Sequence, residues 1–340
     1  MKAFFHPAQS QHIPRSYLSR GQMRTPLEIP ERTERILAGL DALGIDVAEP
    51  TDHGRAPIER VHDAGYLEFL ETCHARWKNV EEDWGDEVMS NVYVRAGSRP
   101  RGLLAEAAWY LADGSCPVGE HTWNAAYWSA QSALSAADAL LDGDLIAYAV
   151  CRPPGHHARR DAAGGFCYLN NAAIAAEALK PRFERIAILD PDMHHGQGIQ
   201  EIFWERSDVL YVSIHGDPTN FYPVMTGHED ERGGGAGEGF NVNLPMPHGS
   251  PESVFFDRLE QARKIIEDFD PDAVILTLGF DIYEKDPQAK VAVTGDGFRR
   301  IGAAAAGFGK PLLVVQEGGY YLEGLEDNTR QFFAGVEAAT

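Results

Sequence analysis

The chain has 340 residues, of which 44% are apolar, and α/β folds of this size often form one domain with a large core. Its 51 acidic residues outnumber 30 basic ones, which gives a formal net charge of −21. That field repels nucleic acid and anionic membranes and attracts small cations, so we expect no nucleic-acid or membrane partner. The four cysteines form no CxxC pair, and the first apolar stretch is too short for a signal peptide. These features predict a cytoplasmic protein with reduced thiols.

Helical and strand patterns alternate along most of the chain. In chain order they are a helix at Trp123–Leu141, a strand at Leu145–Val150, a helix at Cys167–Leu179, strands at Arg185–Leu189 and Val209–Ile214, a helix at Pro251–Phe269, a strand at Ala273–Leu278, a helix at Gly297–Ala306 and a strand at Pro311–Val315. The strands are continuous apolar runs, which is typical of a parallel sheet covered on both faces. The alternation predicts an α/β/α sandwich.

Two segments lack this regularity. Residues from about His74 to His121 show no clear period, and Gly216–Gly239 reads as a long glycine-rich loop. Irregular stretches of this length in a compact domain are usually functional lids or contact loops. We therefore predict one domain over residues 1–340, with a long inserted loop at about 74–121.

Chemically reactive side chains follow four of the predicted strands. The sequences concerned are Cys151-Arg-Pro-Pro-Gly-His-His157, Asp190-Pro-Asp-Met-His-His-Gly196, Gly279-Phe-Asp281 and Gln316-Glu-Gly-Gly-Tyr320. Taken separately, an Asp-x-Asp pair, a His-His pair and a Gly-Gly-Tyr turn each have ordinary structural explanations. Because the carboxyl ends of parallel strands share one edge of the sheet, their joint arrival there predicts an active site.

Three of these residues are suited to hold a catalytic metal. Asp192, His194 and Asp281 offer two carboxylates and one imidazole, which leaves coordination positions open. This ligand set suits zinc and also accepts iron(II), cobalt or manganese. An ion held in this way makes hydroxide available near neutral pH, a nearby histidine can move protons, and the Tyr320 phenol can donate to an oxyanion. The combination describes amide hydrolysis.

Taken together, these motifs resemble those of the histone deacetylase and acetylpolyamine amidohydrolase superfamily. The resemblance also covers Val61-His-Asp-Ala-Gly-Tyr-Leu67, Gly165-Phe-Cys-Tyr-Leu-Asn170 and Leu278-Gly-Phe-Asp281, and it extends over roughly residues 20 to 325. It implies an arginase–deacetylase fold, which is a three-layer α/β/α sandwich with a mainly parallel eight-stranded sheet.

The resemblance also implies a role for individual residues. Asp192, His194 and Asp281 match the zinc ligands; His157 matches the general base and acid, His156 the electrostatic histidine, and Tyr320 the tyrosine that polarises the acetyl carbonyl. Gly165, Phe166 and Tyr222 match residues at the substrate tunnel. Asp190, Ser213 and Ile214, together with Asp192 and His194, match a structural potassium site beside the zinc ligands.

This sequence departs from the family pattern at two places. Gln197 stands where many histone deacetylases carry an aspartate, and a neutral amide orients His157 without raising its basicity as a carboxylate would. Gln288 stands where lysine deacetylases usually place an apolar tunnel residue. The second departure weakens the case for acetyl-lysine peptides as substrates.

The substrate predicted from these features is a small, cationic, acetylated polyamine. Chain length, acidic charge and the irregular segment are similar to those of bacterial acetylpolyamine amidohydrolases, in which this segment is implied to cross a homodimer interface. Glu106 and Asp113 are candidates to meet a distal ammonium group. The alternatives are a protein acetyl-lysine deacetylase, a ureohydrolase of arginase type with a bridged metal pair, and a sensor that has lost catalysis.

Tryptophan side chains in the inserted segment give the dimer a physical basis. Trp77, Trp84 and Trp109 add apolar bulk to a stretch that shows no pattern for burying it. They either pack against a second copy of the chain or fold back onto their own domain. The resemblance favours the homodimer.

Overall fold

The computed structural model describes all residues from Met1 to Thr340. The strands are β1 Lys2–Phe4, β2 Tyr17–Ser19, β3 Gln22–Arg24, β4 Val47–Ala48, β5 Ile146–Ala149, β6 Ile186–Asp190, β7 Val209–Gly216, β8 Asn241–Met246, β9 Ser250–Pro251, β10 Ala273–Leu278, β11 Val291–Ala292 and β12 Leu312–Gln316. The helices are α1 Glu31–Asp41, α2 Ala56–Glu59, α3 Ala64–Lys78, α4 Leu103–Tyr110, α5 Thr122–Leu141, α6 Asn171–Leu179, α7 Gln197–Phe203, α8 Glu252–Phe269, α9 Gly295–Ala306 and α10 Leu322–Ala339.

Eight strands form one sheet in the order β4-β1-β5-β12-β10-β6-β7-β8. All seven neighbouring pairs of this sheet are parallel. The predicted strands and helices all occur, with bounds that differ by a few residues at most, apart from α6, which begins at Asn171. The prediction of an α/β/α sandwich around an eight-stranded parallel sheet is confirmed.

The core consists of two apolar layers, one on each face of the sheet. Successive residues of a strand point to opposite faces. In β6, Ile186 and Ile188 therefore belong to the layer under α3, α5, α6 and α7, whereas Ala187 and Leu189 belong to the layer under α1, α8, α9 and α10. Every residue of β6, β7 and β10 is buried, which explains why these runs lack alternation.

The inserted segment is more ordered than its sequence suggests. The helix α3 extends into it as far as Lys78, and α4 covers Leu103–Tyr110. Asp63 caps α3 by accepting from two backbone amides, and Tyr66, Leu70, Cys73 and Trp77 are spaced so that they bury one face. The expectation of an irregular stretch starting at His74 was therefore wrong for these two helices.

Two of the three tryptophans in the segment pack against their own domain. Trp77 is buried in the core, and Trp84 meets it edge to face at 4.9 Å while its carbonyl accepts from the Trp77 indole. Trp109 is half-buried. The exposed apolar residues of the segment are instead Val92, Tyr93, Val94 and Leu104.

The four cysteines are buried and unpaired, as the sequence predicts. None of the helices combines the length and the apolar character that a bilayer span requires.

Candidate active site

The site forms at the carboxyl ends of five neighbouring strands. In the sheet, β5, β12, β10, β6 and β7 lie side by side, and the reactive motifs follow four of them directly. Main-chain amides at these strand ends have no partner in the sheet and are free to orient the reactive side chains. The predicted convergence of the motifs is therefore seen in the structure.

Asp192, His194 and Asp281 bring their donor atoms to within 4.8 Å of one another. The Nδ1 atom of His194 lies 3.0 Å from one Asp281 oxygen and 3.4 Å from one Asp192 oxygen. Backbone amides orient both carboxylates: Met193 donates to Asp281, and Gly318 donates to the second oxygen of Asp192. The His194 ring stacks on Phe221 at 4.8 Å, which holds its Nδ1 towards the carboxylates.

The surroundings of this cluster fit a metal ion. A Cβ atom on Gly279 or Gly318 would lie 2.1 or 2.7 Å from the Asp192 carboxylate, so only glycine leaves room there. Burial and the nearby Asp192 charge raise the pKa of Asp281. For His194, burial favours the neutral ring, but the two carboxylates outweigh burial and raise the pKa to about 9. Asp281 and His194 therefore both tend to hold protons, and the positive charge of a bound metal ion would take the place of those protons.

Two carboxylates lie beside His156 and favour its charged form. Its Nδ1 lies 3.1 Å from Asp190, which also accepts from the Tyr211 hydroxyl at 2.7 Å, and its Nε2 lies 3.8 Å from Asp192. Burial favours the neutral ring, but the charges of Asp190 and Asp192 outweigh it and raise the pKa of His156 to about 10. The charged form of the His156 ring is therefore favoured beside the proposed metal ligands.

The pKa of His157 shifts in the opposite direction to that of His156. Burial, followed by the positive charges of His156 and His194, lowers the pKa of His157 well below its ordinary value. The two rings are 3.9 Å apart, yet the pKa of His156 is raised and the pKa of His157 is lowered. Adjacent groups whose pKa values are driven apart are the usual arrangement for dividing electrostatic and proton-transfer roles.

Tyr320 lies on a turn whose backbone is held by hydrogen bonds with buried charged side chains. Its backbone amide donates to Asp286 at 2.6 Å, and burial raises the pKa of its phenol well above the ordinary value. The guanidinium of Arg32 lies 4.9 Å from the centre of the Tyr320 ring and donates to the carbonyls of Gly319 and Glu317. The phenol thus stays protonated and can donate to an oxyanion.

This turn is supported by a buried ionic group that was not predicted from the sequence. Glu28 accepts from Arg32 at 2.8 Å and forms an ion pair with Arg152 at 2.8 Å. Arg152 in turn donates to the carbonyls of Gln9 and His12. Glu28 and Arg32 lie before the recognisable strand-end motifs, and an isolated charged residue on α1 or its preceding loop carries no sequence signal for a buried role.

Phe166 lies beside the Tyr320 ring, and Tyr222 lies beside the His157 ring. Phe166 is 6.0 Å from the Tyr320 ring, and Tyr222 stands perpendicular to His157 at 4.8 Å. Phe166 has a positive φ of 68°, an uncommon conformation that recurs at functional sites. Tyr17 on β2 meets Phe166 edge to face at 5.1 Å and extends this aromatic wall, which the sequence did not predict.

The residues expected at the potassium site also come together. Asp190, the last residue of β6, is the register partner of Ser213 within β7, and Ile214 follows directly. The Ser213 hydroxyl is buried and lies 2.8 Å from Nδ1 of His215.

The two acidic residues suggested for a distal ammonium group already have partners. Glu106 forms an ion pair with Arg76 at 2.6 Å. Asp113 accepts from the Tyr222 hydroxyl at 2.7 Å and from the Gly165 amide at 3.2 Å.

Comparisons with known proteins agree with this geometry. The family model described as a histone deacetylase domain matches residues 26–336. The acetylpolyamine amidohydrolase of Burkholderia pseudomallei is 63% identical over 338 residues and 99% of both chains, and acetylpolyamine amidohydrolase 1 of Pseudomonas aeruginosa is 41% identical over 96% of both. A crystal structure of the acetylpolyamine aminohydrolase from Burkholderia pseudomallei superposes with a TM-score of 0.99, covering 100% of this chain and 99% of that one, at 63% identity.

The fold, the strand-end site and these matches define a hydrolase that acts on amide bonds. Within that class, the chain belongs to the histone deacetylase family. The resemblance seen in the motifs is thereby confirmed.

Proposed function

We propose that this chain removes the acetyl group from small acetylated polyamines, releasing acetate and a free amine. The observation that carries the proposal is the convergence of the Asp192, His194 and Asp281 donor atoms within 4.8 Å, beside the adjacent rings of His156 and His157, which lie 3.9 Å apart. The names of the two relatives described above support a polyamine substrate, and their matches cover at least 96% of both chains.

We propose zinc as the metal, with iron(II) or cobalt as possible replacements in the same ligand set. When bound, the metal supplies hydroxide near neutral pH and polarises the acetyl carbonyl. A bridged metal pair of the ureohydrolase type would need a ligand shared by two sites. The two groups of potential ligands, Asp192, His194 and Asp281 on one side and His156, Cys167 and Glu317 on the other, share none.

The protein side chains divide the remaining work. His157 is neutral and accepts a proton through Nε2, because its Nδ1 is 2.6 Å from the Gln197 carbonyl; it later returns this proton to the leaving amine. His156 remains charged and stabilises the negative charge that develops nearby. Tyr320 donates to the carbonyl oxygen as it becomes an oxyanion.

Gly165, Phe166 and Tyr222 would border the path of the acyl group. Phe166 and Tyr222 present apolar ring surface near His157 and Tyr320, which suits a narrow aliphatic amine. The inserted segment contacts the residues around this path at two points. The Leu18 amide on β2 donates to the Gly114 carbonyl at 2.8 Å, and Asp113 accepts from the Tyr222 hydroxyl.

We also propose a structural potassium ion beside the metal ligands. Its oxygen ligands would come from Asp190, Asp192, His194, Ser213 and Ile214, mostly through backbone carbonyls, and hard cations of this kind prefer oxygen. A homodimer in which the exposed apolar residues of the inserted segment meet a second copy completes the proposal.

A substrate panel run with metal analysis tests the function. Purified protein would be assayed with acetylputrescine, acetylcadaverine, acetylspermidine and an acetyl-lysine peptide, and zinc per chain would be measured on the same sample. We expect one transition metal per chain and a higher kcat/KM for at least one acetylpolyamine than for the peptide. Preference for the peptide would instead support a protein deacetylase, and no turnover of any amide would overturn the proposal.

A further inference from the structure

Three side chains in a continuous hydrogen-bonded series connect the His157 ring with the inserted segment. Nδ1 of His157 lies 2.6 Å from Oε1 of Gln197. Nε2 of Gln197 donates to the Tyr222 hydroxyl at 3.0 Å, and that hydroxyl donates to Oδ2 of Asp113 at 2.7 Å. Tyr222 and Gln197 thus link a carboxylate of the inserted segment to the ring proposed to move protons.

Proton counting fixes the direction of every bond in this series. The Asp113 carboxylate also accepts from two backbone amides and a serine hydroxyl, so it acts only as an acceptor. The single proton of the Tyr222 hydroxyl therefore points to Asp113, and its oxygen must accept from the Gln197 amide. The Gln197 carbonyl then faces His157, which carries its proton on Nδ1 and leaves Nε2 free.

The contacts are direct: Asp113 and Tyr222 are half-buried, and the Gln197 end of the series is enclosed. Gln197 is 4% exposed. A Cβ atom at the buried Gly164 would lie 3.1 Å from both the Tyr222 hydroxyl and the Asp113 carboxylate, so the chain closes tightly over this pair. In such an environment hydrogen bonds are stronger than in water, and neighbouring bonds polarise one another.

We propose that Asp113 and Tyr222 are positioning residues that act through Gln197 to hold His157 in the tautomer with a free Nε2. The Asp113 charge polarises the series, so the neutral Gln197 amide becomes a stronger acceptor for the His157 proton than an isolated amide. This inference rests on the proposed function only for the proton-transfer role of His157, and the position of the proton can be measured without turnover.

The main test compares Tyr222→Phe with the parent enzyme. This change removes the linking hydroxyl and keeps the ring. In zinc-loaded protein labelled with ¹⁵N-histidine, we expect the Nδ1–H proton resonance of His157, assigned by its loss in His157→Ala, to move upfield or exchange away. With acetylputrescine we expect kcat to fall about 10-fold, at the lower end of the effect of groups that orient an active-site histidine, with KM changed less than kcat.

Two further variants separate the series from simple structural effects. Tyr127→Phe is a matched control. Tyr127 lies on the helix α5, away from the site, and its hydroxyl also donates to a carboxylate, that of Asp52. It should leave the resonance and kcat unchanged. Asp113→Asn keeps the size of the side chain and removes its charge, so it should shift the resonance in the same direction as Tyr222→Phe.

A rescue experiment makes the inference decisive. Gln197→Glu places a carboxylate directly against His157 Nδ1, so the Tyr222 hydroxyl becomes dispensable. In that background, adding Tyr222→Phe should change kcat less than 2-fold. If the second change still lowered kcat about 10-fold, or if Tyr222→Phe left the resonance in place in the otherwise unchanged enzyme, the inference would be overturned.

The readouts also separate this inference from the proposed function. A parent enzyme that deacetylates no polyamine but shows the Nδ1–H resonance, with its loss in Tyr222→Phe, would retain the series and refute the substrate. A parent that deacetylates polyamines while its resonance is indifferent to Tyr222→Phe would retain the function and refute the series.

Discussion

Replacing Gly165 with alanine should displace the ring of His157, the proposed base, without changing any of its chemical groups. A Cβ atom at Gly165 would lie 2.3 Å from Cδ2 of His157 and 2.8 Å from the Tyr222 ring. Carbon atoms in favourable contact are about 3.5 Å apart, so either the ring or the turn must move by about 1 Å. A shift of that size costs about 100-fold in rate when it misplaces a reacting group. We therefore expect kcat/KM to fall about 100-fold.

The stability cost of the same change has two sources. Gly165 has a φ of +54°, and an alanine there loses about 1–2 kcal/mol because its Cβ crowds the following carbonyl. The forced contact with His157 adds about 1–3 kcal/mol, the usual range for overpacking.

A matched glycine separates the two sources. Gly309 has a similar φ of +63°, and a Cβ there meets nothing within 4 Å. Gly309→Ala should therefore lower the thermal midpoint through backbone strain alone and keep full activity on acetylputrescine. Steady-state rates and thermal unfolding of both variants decide the matter. If Gly165→Ala were as active as Gly309→Ala, the close packing of Gly165 on His157 would have no part in placing the base.

Three other predictions follow from the proposed roles. Tyr320→Phe should keep its metal and lose about 100-fold or more in kcat, the scale of one oxyanion donor, and a variant as fast as the parent would make the phenol structural. Chelation should abolish activity in a chain that stays folded by circular dichroism, with zinc or cobalt restoring it; Asp281→Ala should lose both metal and turnover, and activity in metal-free protein would contradict the metal centre. Shortening residues 80–100 should give a monomer by light scattering with more activity on an acetyl-lysine peptide relative to acetylputrescine, whereas a monomeric parent already selective for acetylpolyamines would break that link.

The central sheet could be predicted because its strands are buried on both faces. The run Ala273–Leu278 is apolar apart from Thr277, and its predicted bounds match β10. The outer strands β1 and β4 were missed because they have three and two residues, which is too short to show a pattern. The helix α3 was missed although Asp63 is a recognisable N-cap, because its apolar stripe was interrupted by the assumed boundary at His74.

The reactive side chains could be found in sequence because each one follows a strand directly. The position along the chain then fixes the position in space, as for Asp192 and His194 after β6. Arg32 and Glu28 could not be found in this way. Arg32 reaches the Tyr320 turn across the fold and Glu28 pairs with Arg32, and nothing in a local pattern distinguishes a charged residue that will be paired and buried from one that remains in water.

The relation between Gln197 and Tyr222 is visible only in the structure. In sequence, Gln197 stands where many histone deacetylases carry an aspartate, and Tyr222 matches a residue at the substrate tunnel, so the two have no evident connection. In the structure, the Tyr222 hydroxyl binds the amide of Gln197 at 3.0 Å and the Asp113 carboxylate at 2.7 Å. The series of hydrogen bonds that begins at His157 therefore ends on a carboxylate. That carboxylate, Asp113, belongs to the inserted segment and not to the loop that follows β6. Because that segment also borders the rim of the proposed substrate path, we expect its position to affect both the access to the site and the orientation of the base.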